Sequence, residues 1–196
     1  MVSKGEATKE RILDQGLELA SRVGLEGLSI GALAKATGLS KSGLFAHFGS
    51  KEELQLAVLE LGRVRFVDRV VAPSLREPRG EPRVRALFEN WVGWECQRGP
   101  GGCPFVAISH EFDDRPGPAR EAIVAVQRDW IETLATAIRI AVDEGHFART
   151  VDTHQLAFEI YGQFLAFHLY HRLLHDEDAL ARARAGLERL LAAVRA

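Results

Sequence analysis

The stretch from Ser29 to Lys51, SIGALAKATGLSKSGLFAHFGSK, limits the possible folds of this chain more than any other part of the sequence. Its apolar residues recur with helical spacing on both sides of Gly38, and a glycine there supplies a turn conformation that other residues adopt only with strain. The residues that form the two facing apolar surfaces are Ile30, Leu33, Ala34, Leu39, Leu44 and Phe48. This spacing predicts two helices joined by a tight turn, the arrangement of a helix-turn-helix.

Signals for helix starts stand at the matching positions. Ser29 precedes the first helix and Ser40 precedes the second, where their hydroxyls can accept backbone N–H groups. Ser50, with Glu53 three residues later, forms a capping box that predicts a third helix. Because these signals agree with the apolar pattern, a helix-turn-helix is favoured over an ordinary helical hairpin with a solvated face, which stays the alternative.

The outer face of the second helix carries small side chains, Ser42 and Ala46 among them. Small residues on that face would let the helix backbone come close to a partner. Lys41, His47 and Lys51 place cationic or imidazole groups where they could reach phosphates on either side of a DNA groove. The pattern therefore predicts a helix that enters duplex DNA.

The run from Lys9 to Leu54, KERILDQGLELASRVGLEGLSIGALAKATGLSKSGLFAHFGSKEEL, resembles the DNA-binding domain of the TetR family of bacterial transcriptional regulators. The close similarity covers about 50 N-terminal residues, and a later region with GCPF and EFDDRPGP resembles one subgroup of the family's ligand-binding domains. The resemblance implies an all-α fold of about nine helices. In that fold a three-helix helix-turn-helix domain is followed by a larger helical domain for ligand binding and dimerisation.

The resemblance also implies a function. Regulators of this family bind a palindromic operator as homodimers, in most cases as repressors, and a small-molecule effector releases them. The residues expected to bind DNA are Thr37, Lys41, Ser42, Gly43, Phe45, His47 and Lys51. Phe45 departs from the family pattern, which usually has a tyrosine there, and phenylalanine lacks the hydroxyl that would donate to a phosphate.

Composition and charge agree with a globular intracellular protein. The 196 residues include no run of about 20 apolar residues that could span a bilayer, and the N-terminal MVSKGEATKER is polar and charged rather than a signal peptide. We therefore expect a soluble, cytoplasmic protein without a membrane partner. The net charge of −2 is divided unevenly, with +2 in residues 1–51 and −4 in the remainder, so phosphate binding would depend on a few well-placed cations.

Proline and glycine positions predict the domain boundaries. A first helix is expected from Thr8 to about Val23, and a connecting helix from Lys51 to about Val71, closed by Pro73. Residues 72–82 contain three prolines and a glycine and form the clearest linker. The predicted parts are a helix-turn-helix domain at 1–51, a connecting helix at 52–72 and a ligand-binding and dimerisation domain at 73–196.

The last two predicted helices bear on assembly. The first of them, capped by Asp152 or Thr153 and running to about His175, has one apolar row through Leu156 and Ile160 and a second through Phe158 and Leu165. A helix that is apolar on two sides needs two partners. One partner is the core of its own domain, and the other is predicted to be the same helix pair of a second subunit, which gives a homodimer through the last two helices.

A small-molecule cavity is implied by the resemblance and agrees with the abundance of aromatic residues in the larger domain. For each such residue alone, a place in the core is the simpler interpretation. The residues expected to line the pocket are Trp91, Trp94, Cys103, Phe105, His110, Phe112, Gln127, Trp130, Tyr161, Phe164 and His168.

No motif for catalysis or for a cofactor occurs in the sequence. There is no zinc-protease motif, nucleophile elbow, phosphate-binding loop or dinucleotide fingerprint, so we expect neither an enzyme nor a cofactor. His168, His171 and His175 have helical spacing that metal ligands use, and Cys96 and Cys103 are expected to be free thiols. The alternative function is a helical metal-binding or protein-interaction module without a role on DNA.

Overall fold

The computed structural model describes residues 4–97 and 101–196, and the secondary structure of these residues is helical. They form nine separate helices when each π-helical segment is counted with the α-helical turns that it continues. The described residues contain no β-strand, only an isolated antiparallel bridge between Phe147 and Arg195. The predicted all-α class is confirmed.

The first helices have the predicted order. Helix α4 continues without a break through a π-helical segment at Val67–Val71 into the short α5. The bounds are α1 Lys4–Val23, α2 Ile30–Thr37, α3 Lys41–Phe45, α4 Lys51–Phe66 and α5 Ala72–Ser74.

Serine caps begin the helices of the helix-turn-helix as the sequence predicts. Ser29 Oγ accepts the N–H of Ala32 at 3.1 Å, and Ser40 Oγ accepts the N–H of Gly43 at 3.0 Å. Gly38, which ends α2, has a left-handed φ of 70°.

The predicted capping box before α4 differs in one partner. Ser50 Oγ accepts the N–H of Glu53 at 3.0 Å as expected. The carboxylate of Glu53 returns to the N–H of Gly49 at 2.8 Å, one residue beyond the usual partner. Two of the unpaired N–H groups at this helix start are therefore satisfied by side chains.

Two predicted boundaries are wrong. Helix α1 begins at Lys4, so Thr8 lies inside the helix rather than capping it. Gly5 weakens a helix but does not end one by itself, and the helix extends past it toward the N-terminus. Pro73 does not close the connecting helix either, because it lies within α5, which continues that helix to Ser74. A proline removes one backbone hydrogen bond of a helix, and the π-helical segment at Val67–Val71, which has a different hydrogen-bond spacing, ends two residues before it.

The later helices lie close to their predicted positions. Asp152 caps α9 by accepting the N–H groups of His154 and Gln155, each at 3.0 Å, and α9 continues into a π-helical segment at Leu169–Leu173. The bounds are α6 Glu81–Gln97, α7 Pro104–Phe112, α8 Pro118–Asp143, α9 Thr153–His168 and α10 Ala179–Val194.

The chain divides into two compact units, each with a core of its own. The first comprises Met1–Arg65 and Arg98–Val126, and the second comprises Phe66–Gln97 and Gln127–Ala196. Fully buried side chains in the core of the first unit include Ile12, Leu17, Leu25, Leu28, Leu33, Leu44 and Leu54. In the second unit they include Leu87, Phe88, Leu134, Ile138, Phe147, Ile160, Phe164 and Leu191. The unit that contains the helix-turn-helix thus also contains α7.

Candidate DNA-binding residues and candidate ligand-binding residues

Helix α3 presents opposite faces to the core and to solvent, as predicted. Leu44 is fully buried and Phe48, just beyond the helix, is 3% exposed. Ser42 and Ala46 are exposed on the other side. The helix therefore offers a surface of small side chains that a partner can approach closely.

Three residues near α3 are predicted to reach DNA phosphates with a cationic or imidazole group, and their surroundings differ. Lys41 is exposed at the first position of the helix. His47 is half-buried, with its ring tilted against that of Phe48 at a centroid distance of 6.4 Å. Lys51 is exposed at the start of α4, where its Nζ donates to both the carbonyl and the carboxylate of Glu26 at 3.0 Å. The hydrogen bond from Lys51 holds the pKa of Glu26 below its usual value, so Glu26 is ionised at neutral pH.

The remaining predicted DNA contacts are small or polar. Thr37 is half-buried and donates its hydroxyl to the carbonyl of Leu33 at 2.8 Å. At Gly43 an added Cβ would lie 3.2 Å from Ser40 Oγ, the oxygen that caps α3, so a larger residue would press on that cap. Phe45 ends α3, and its side chain lies outside the described part of the structure.

Aromatic side chains form one cluster inside the second unit. Trp91 stacks on Phe164 with ring centroids 4.4 Å apart, and Trp130 stacks on the same ring at 5.8 Å. Phe66 meets Trp130 and Trp94 edge-on at 5.0 and 5.6 Å. Four of the residues predicted to line a pocket, Trp91, Trp94, Trp130 and Phe164, are thus brought together.

Polar groups lie beside these aromatic residues in the second unit. Tyr161 donates its hydroxyl to Gln127 Oε1 at 2.8 Å. Trp130 Nε1 is buried and has no hydrogen-bond partner within the described part of the chain. An unpaired buried donor costs about 1–3 kcal/mol, so Trp130 is suited to bind an acceptor.

Glu95 is a buried polar residue that is not among the residues predicted from the sequence. Its side chain is fully buried on α6, and its Oε1 lies 3.0 Å from Nδ1 of His168. The signal was present in the sequence, because Glu95 follows Trp91 by four residues and so shares the apolar face of the same helix. An acidic residue on an apolar face indicates an internal partner.

The pocket residues predicted on and next to α7 lie in the first unit. Cys103, Phe105 and Phe112 are buried there, with 2%, 4% and 7% exposure. His110 is exposed on α7, which does not favour a role in an enclosed pocket. The predicted set thus divides between the two units, and its function as one ligand site stays a prediction.

The histidines proposed as alternative metal ligands make other contacts. His168 pairs with Glu95, and the ring of His171 stacks on Phe167 with centroids 5.1 Å apart. Among the residues that the structure describes, no three His, Cys, Asp or Glu side chains are grouped so as to hold a metal ion.

In the described ranges, none of the helices combines the length and the apolar character that crossing a bilayer requires.

Comparison with known proteins gives results that agree with one another. Residues 12–58 match the family model described as bacterial regulatory proteins, tetR family, and residues 80–187 match the model described as tetracyclin repressor-like, C-terminal domain. The HTH-type transcriptional repressor NemR of Escherichia coli (strain K12) is 24% identical over 188 residues, which cover 94% of each chain.

Two solved structures have the same fold. A TetR transcriptional regulator from Chloroflexus aurantiacus J-10-FL superposes with a TM-score of 0.86 and 27% identity, over 96% of this chain and 94% of that one. AibR, crystallised in complex with isovaleryl coenzyme A and operator DNA, superposes with a TM-score of 0.68 and 27% identity, over 82% and 85% of the two chains.

Proposed function

Because this chain belongs to the TetR family of bacterial transcriptional regulators, we propose that it is a cytoplasmic repressor. It binds a palindromic operator as a homodimer and leaves the operator when a small molecule binds. The observation that carries this proposal is the exposed face of small side chains on α3, with exposed Lys41 and Lys51 at its margins. NemR is a repressor by name, and AibR was crystallised with operator DNA.

Each subunit places residues 41–47 in a major groove. The two helix-turn-helix domains of the dimer lie about 34 Å apart, which is one helical turn of DNA. Lys41, Ser42 and Gly43 lie nearest the base edges, and Phe45 packs on a sugar or a thymine methyl group. The phosphate contacts come from His47 and Lys51, and Thr37 on α2 occupies a further DNA-contacting position.

The homodimer is supported by apolar side chains that α9 and its π-helical segment leave in solvent. Phe158 is 71% exposed and Leu173 is 70% exposed, with Leu165 and Leu169 between them also exposed. Surfaces of this kind on a folded chain mark interaction sites. A second copy of the same helices covers this surface in a two-fold interface.

The effector is a small, largely apolar or aromatic molecule with a hydrogen-bond acceptor. The aromatic cluster of the second unit supplies apolar contacts, and buried Trp130 Nε1 supplies a donor that has no partner within the described ranges. An anionic effector is disfavoured, because the burial of an unpaired charge is costly. The effector acts by binding one arrangement of the protein more tightly than the other. The chain then has three functional parts: the DNA-binding helix-turn-helix domain at 1–51, the connecting helix at 52–72 and the ligand-binding and dimerisation domain at 73–196.

Fluorescence anisotropy with labelled DNA from the region flanking the gene tests this function. We expect saturable binding, lost in excess unlabelled operator and not in excess unrelated duplex. If the protein binds none of these duplexes at low ionic strength, the alternative of a protein-interaction module without a role on DNA replaces the repressor.

A further inference from the structure

The loop between α1 and α2 is anchored by a carboxylate from outside the helix-turn-helix sequence. Glu111, on α7, accepts two successive backbone amides: Oε2 accepts the N–H of Leu25 at 2.6 Å, and Oε1 accepts the N–H of Glu26 at 2.8 Å. Because both oxygens are used, the carboxylate fixes the direction of the loop as well as its position. All three residues belong to the first unit.

Gly24 makes room for this contact. Its φ of 75° lies in the left-handed region that favours glycine. A Cβ at this position would lie 2.7 Å from each carboxylate oxygen of Glu111, well inside van der Waals contact. The glycine is therefore needed both to end α1 and to admit the carboxylate.

Helix α4 holds the opposite side of the same loop. Gln55 is 5% exposed and donates its Nε2 to the carbonyl of Leu25 at 2.9 Å. Lys51 donates its Nζ to the carbonyl and to the carboxylate of Glu26, both at 3.0 Å. The loop thus donates N–H groups to α7 and accepts hydrogen bonds from α4 at its carbonyl groups. It forms a hydrogen-bonded link between Glu111 and Lys51.

This link can affect DNA affinity because it changes the entropy that the Lys51 side chain loses on binding. A free lysine side chain loses rotamer entropy when it is fixed on a phosphate. A lysine that is already held near its bound position loses less, so binding is tighter. The position of the Lys51 ammonium group depends on the backbone of Glu26, which Glu111 holds.

We propose that Glu111 is a positioning residue for operator binding, which fixes the Leu25–Glu26 backbone and through it the ammonium group of Lys51. The inference rests on the proposed function, because it assumes that Lys51 contacts an operator phosphate. By this inference, Glu111, which lies in the region that matches the C-terminal family model, contributes to the DNA-binding part of the protein.

A double-mutant cycle on the full-length protein tests this role. Glu111→Gln keeps the shape of the side chain but replaces one acceptor with a donor, so it breaks one of the two amide contacts. We expect it to weaken operator binding about tenfold in anisotropy titrations. In a Lys51→Ala background the same change should have little further effect, because the residue through which it acts is gone. Glu111→Asp, which keeps the charge but reaches less far, should give a smaller loss.

Two further measurements separate positioning from general stability. Hydrogen exchange should be faster at the amides of Leu25 and Glu26 in Glu111→Gln, while the midpoint of thermal unfolding stays close to that of the unmutated protein. The matched control is Glu121→Gln, which removes an exposed carboxylate from α8 and should leave operator affinity unchanged.

The inference is overturned if Glu111→Gln binds operator as tightly as the unmutated protein. It is also overturned if the loss in affinity is equally large in the Lys51→Ala background. Failure of the unmutated protein to bind any operator would instead refute the proposed function, so the two failures are distinguishable.

Discussion

At the scale of single residues, Lys51 links folding to the proposed recognition of DNA. Its ammonium group bridges two groups of Glu26 at the start of α4, yet the side chain remains 42% exposed. Exposed ion pairs contribute little to stability, so removal of the lysine should leave the fold largely unchanged and act on DNA binding.

We predict that Lys51→Ala weakens binding to operator and to unrelated duplex by similar factors. It should lower the dependence of log affinity on log salt by about one unit. Anisotropy titrations over a salt series measure both effects. Arg149→Ala, which removes an exposed cation of the second unit, is the control and should keep the original slope. An unchanged slope in Lys51→Ala would contradict the phosphate contact.

At the scale of whole helices, α9 combines two apolar faces with different surroundings. Leu156, Ile160 and Phe164 are at most 2% exposed and pack in the core of the second unit. Phe158 and Leu165 point to solvent. This arrangement supports the proposal that the second face is covered only in the dimer.

We predict that Phe158→Glu converts the dimer into a monomer, because a buried carboxylate without a partner in the interface costs several kcal/mol. Sedimentation equilibrium measures the change, and operator affinity should fall with it. Arg139→Glu introduces a carboxylate at an exposed position of α8 and should leave the dimer intact. A Phe158→Glu protein that remains dimeric would show that another surface holds the subunits together.

Glu81, in the first turn of α6, lies between two arginines. Glu81 accepts hydrogen bonds from Arg195 at 2.6 and 2.9 Å and from Arg85 at 2.8 Å. These hydrogen bonds, those of Arg195 above all, hold the pKa of Glu81 at about 2, against an ordinary value of 4.5. Because the pKa is lowered on folding, the pair stabilises the fold above about pH 4.5, and this contribution is lost as the pH falls toward 2.

Glu81→Gln should therefore lower the free energy of unfolding by about 2 kcal/mol at neutral pH. The difference from the unmutated protein should shrink between pH 4.5 and 2. Urea unfolding at a series of pH values measures it. Glu77→Gln, at an exposed position before α6, is the control. A difference that does not depend on pH would mean that the carboxylate acts by packing rather than by charge.

At the scale of the whole molecule, the proposed effector and the operator are linked through one equilibrium. Linkage requires that each ligand changes the affinity for the other by the same factor. The three tryptophans of the chain, Trp91, Trp94 and Trp130, all lie in the aromatic cluster, so their fluorescence reports on a ligand bound there.

We predict that a neutral aromatic ketone such as 2-acetylnaphthalene quenches this fluorescence and weakens operator binding. Trp130→Phe should weaken ketone binding by roughly fivefold to tenfold, because the buried N–H donor is lost. Quenching by the ketone without any change in operator affinity would contradict the coupling.

Much of the fold follows from local sequence signals. Helical periodicity and the caps at Ser29, Ser40 and Asp152 are short-range features, and the hydrogen bonds of these caps form as expected. The predicted start of α1 at Thr8 and the predicted end of the connecting helix at Pro73 are wrong. A helix can extend past a weak start or stop signal when the contacts of its next turn stabilise it.

The sequence by itself determined the all-α class, the helix-turn-helix and the face that α3 leaves exposed, because each depends on residues within a few turns of one another. Only the tertiary structure decided which side chains meet across long stretches of chain. Glu111 and Leu25 are 86 residues apart in sequence, and Glu95 and His168 are 73 apart. The sequence does not indicate either pairing, since a hydrogen bond between residues so far apart depends on how the segments that carry them pack.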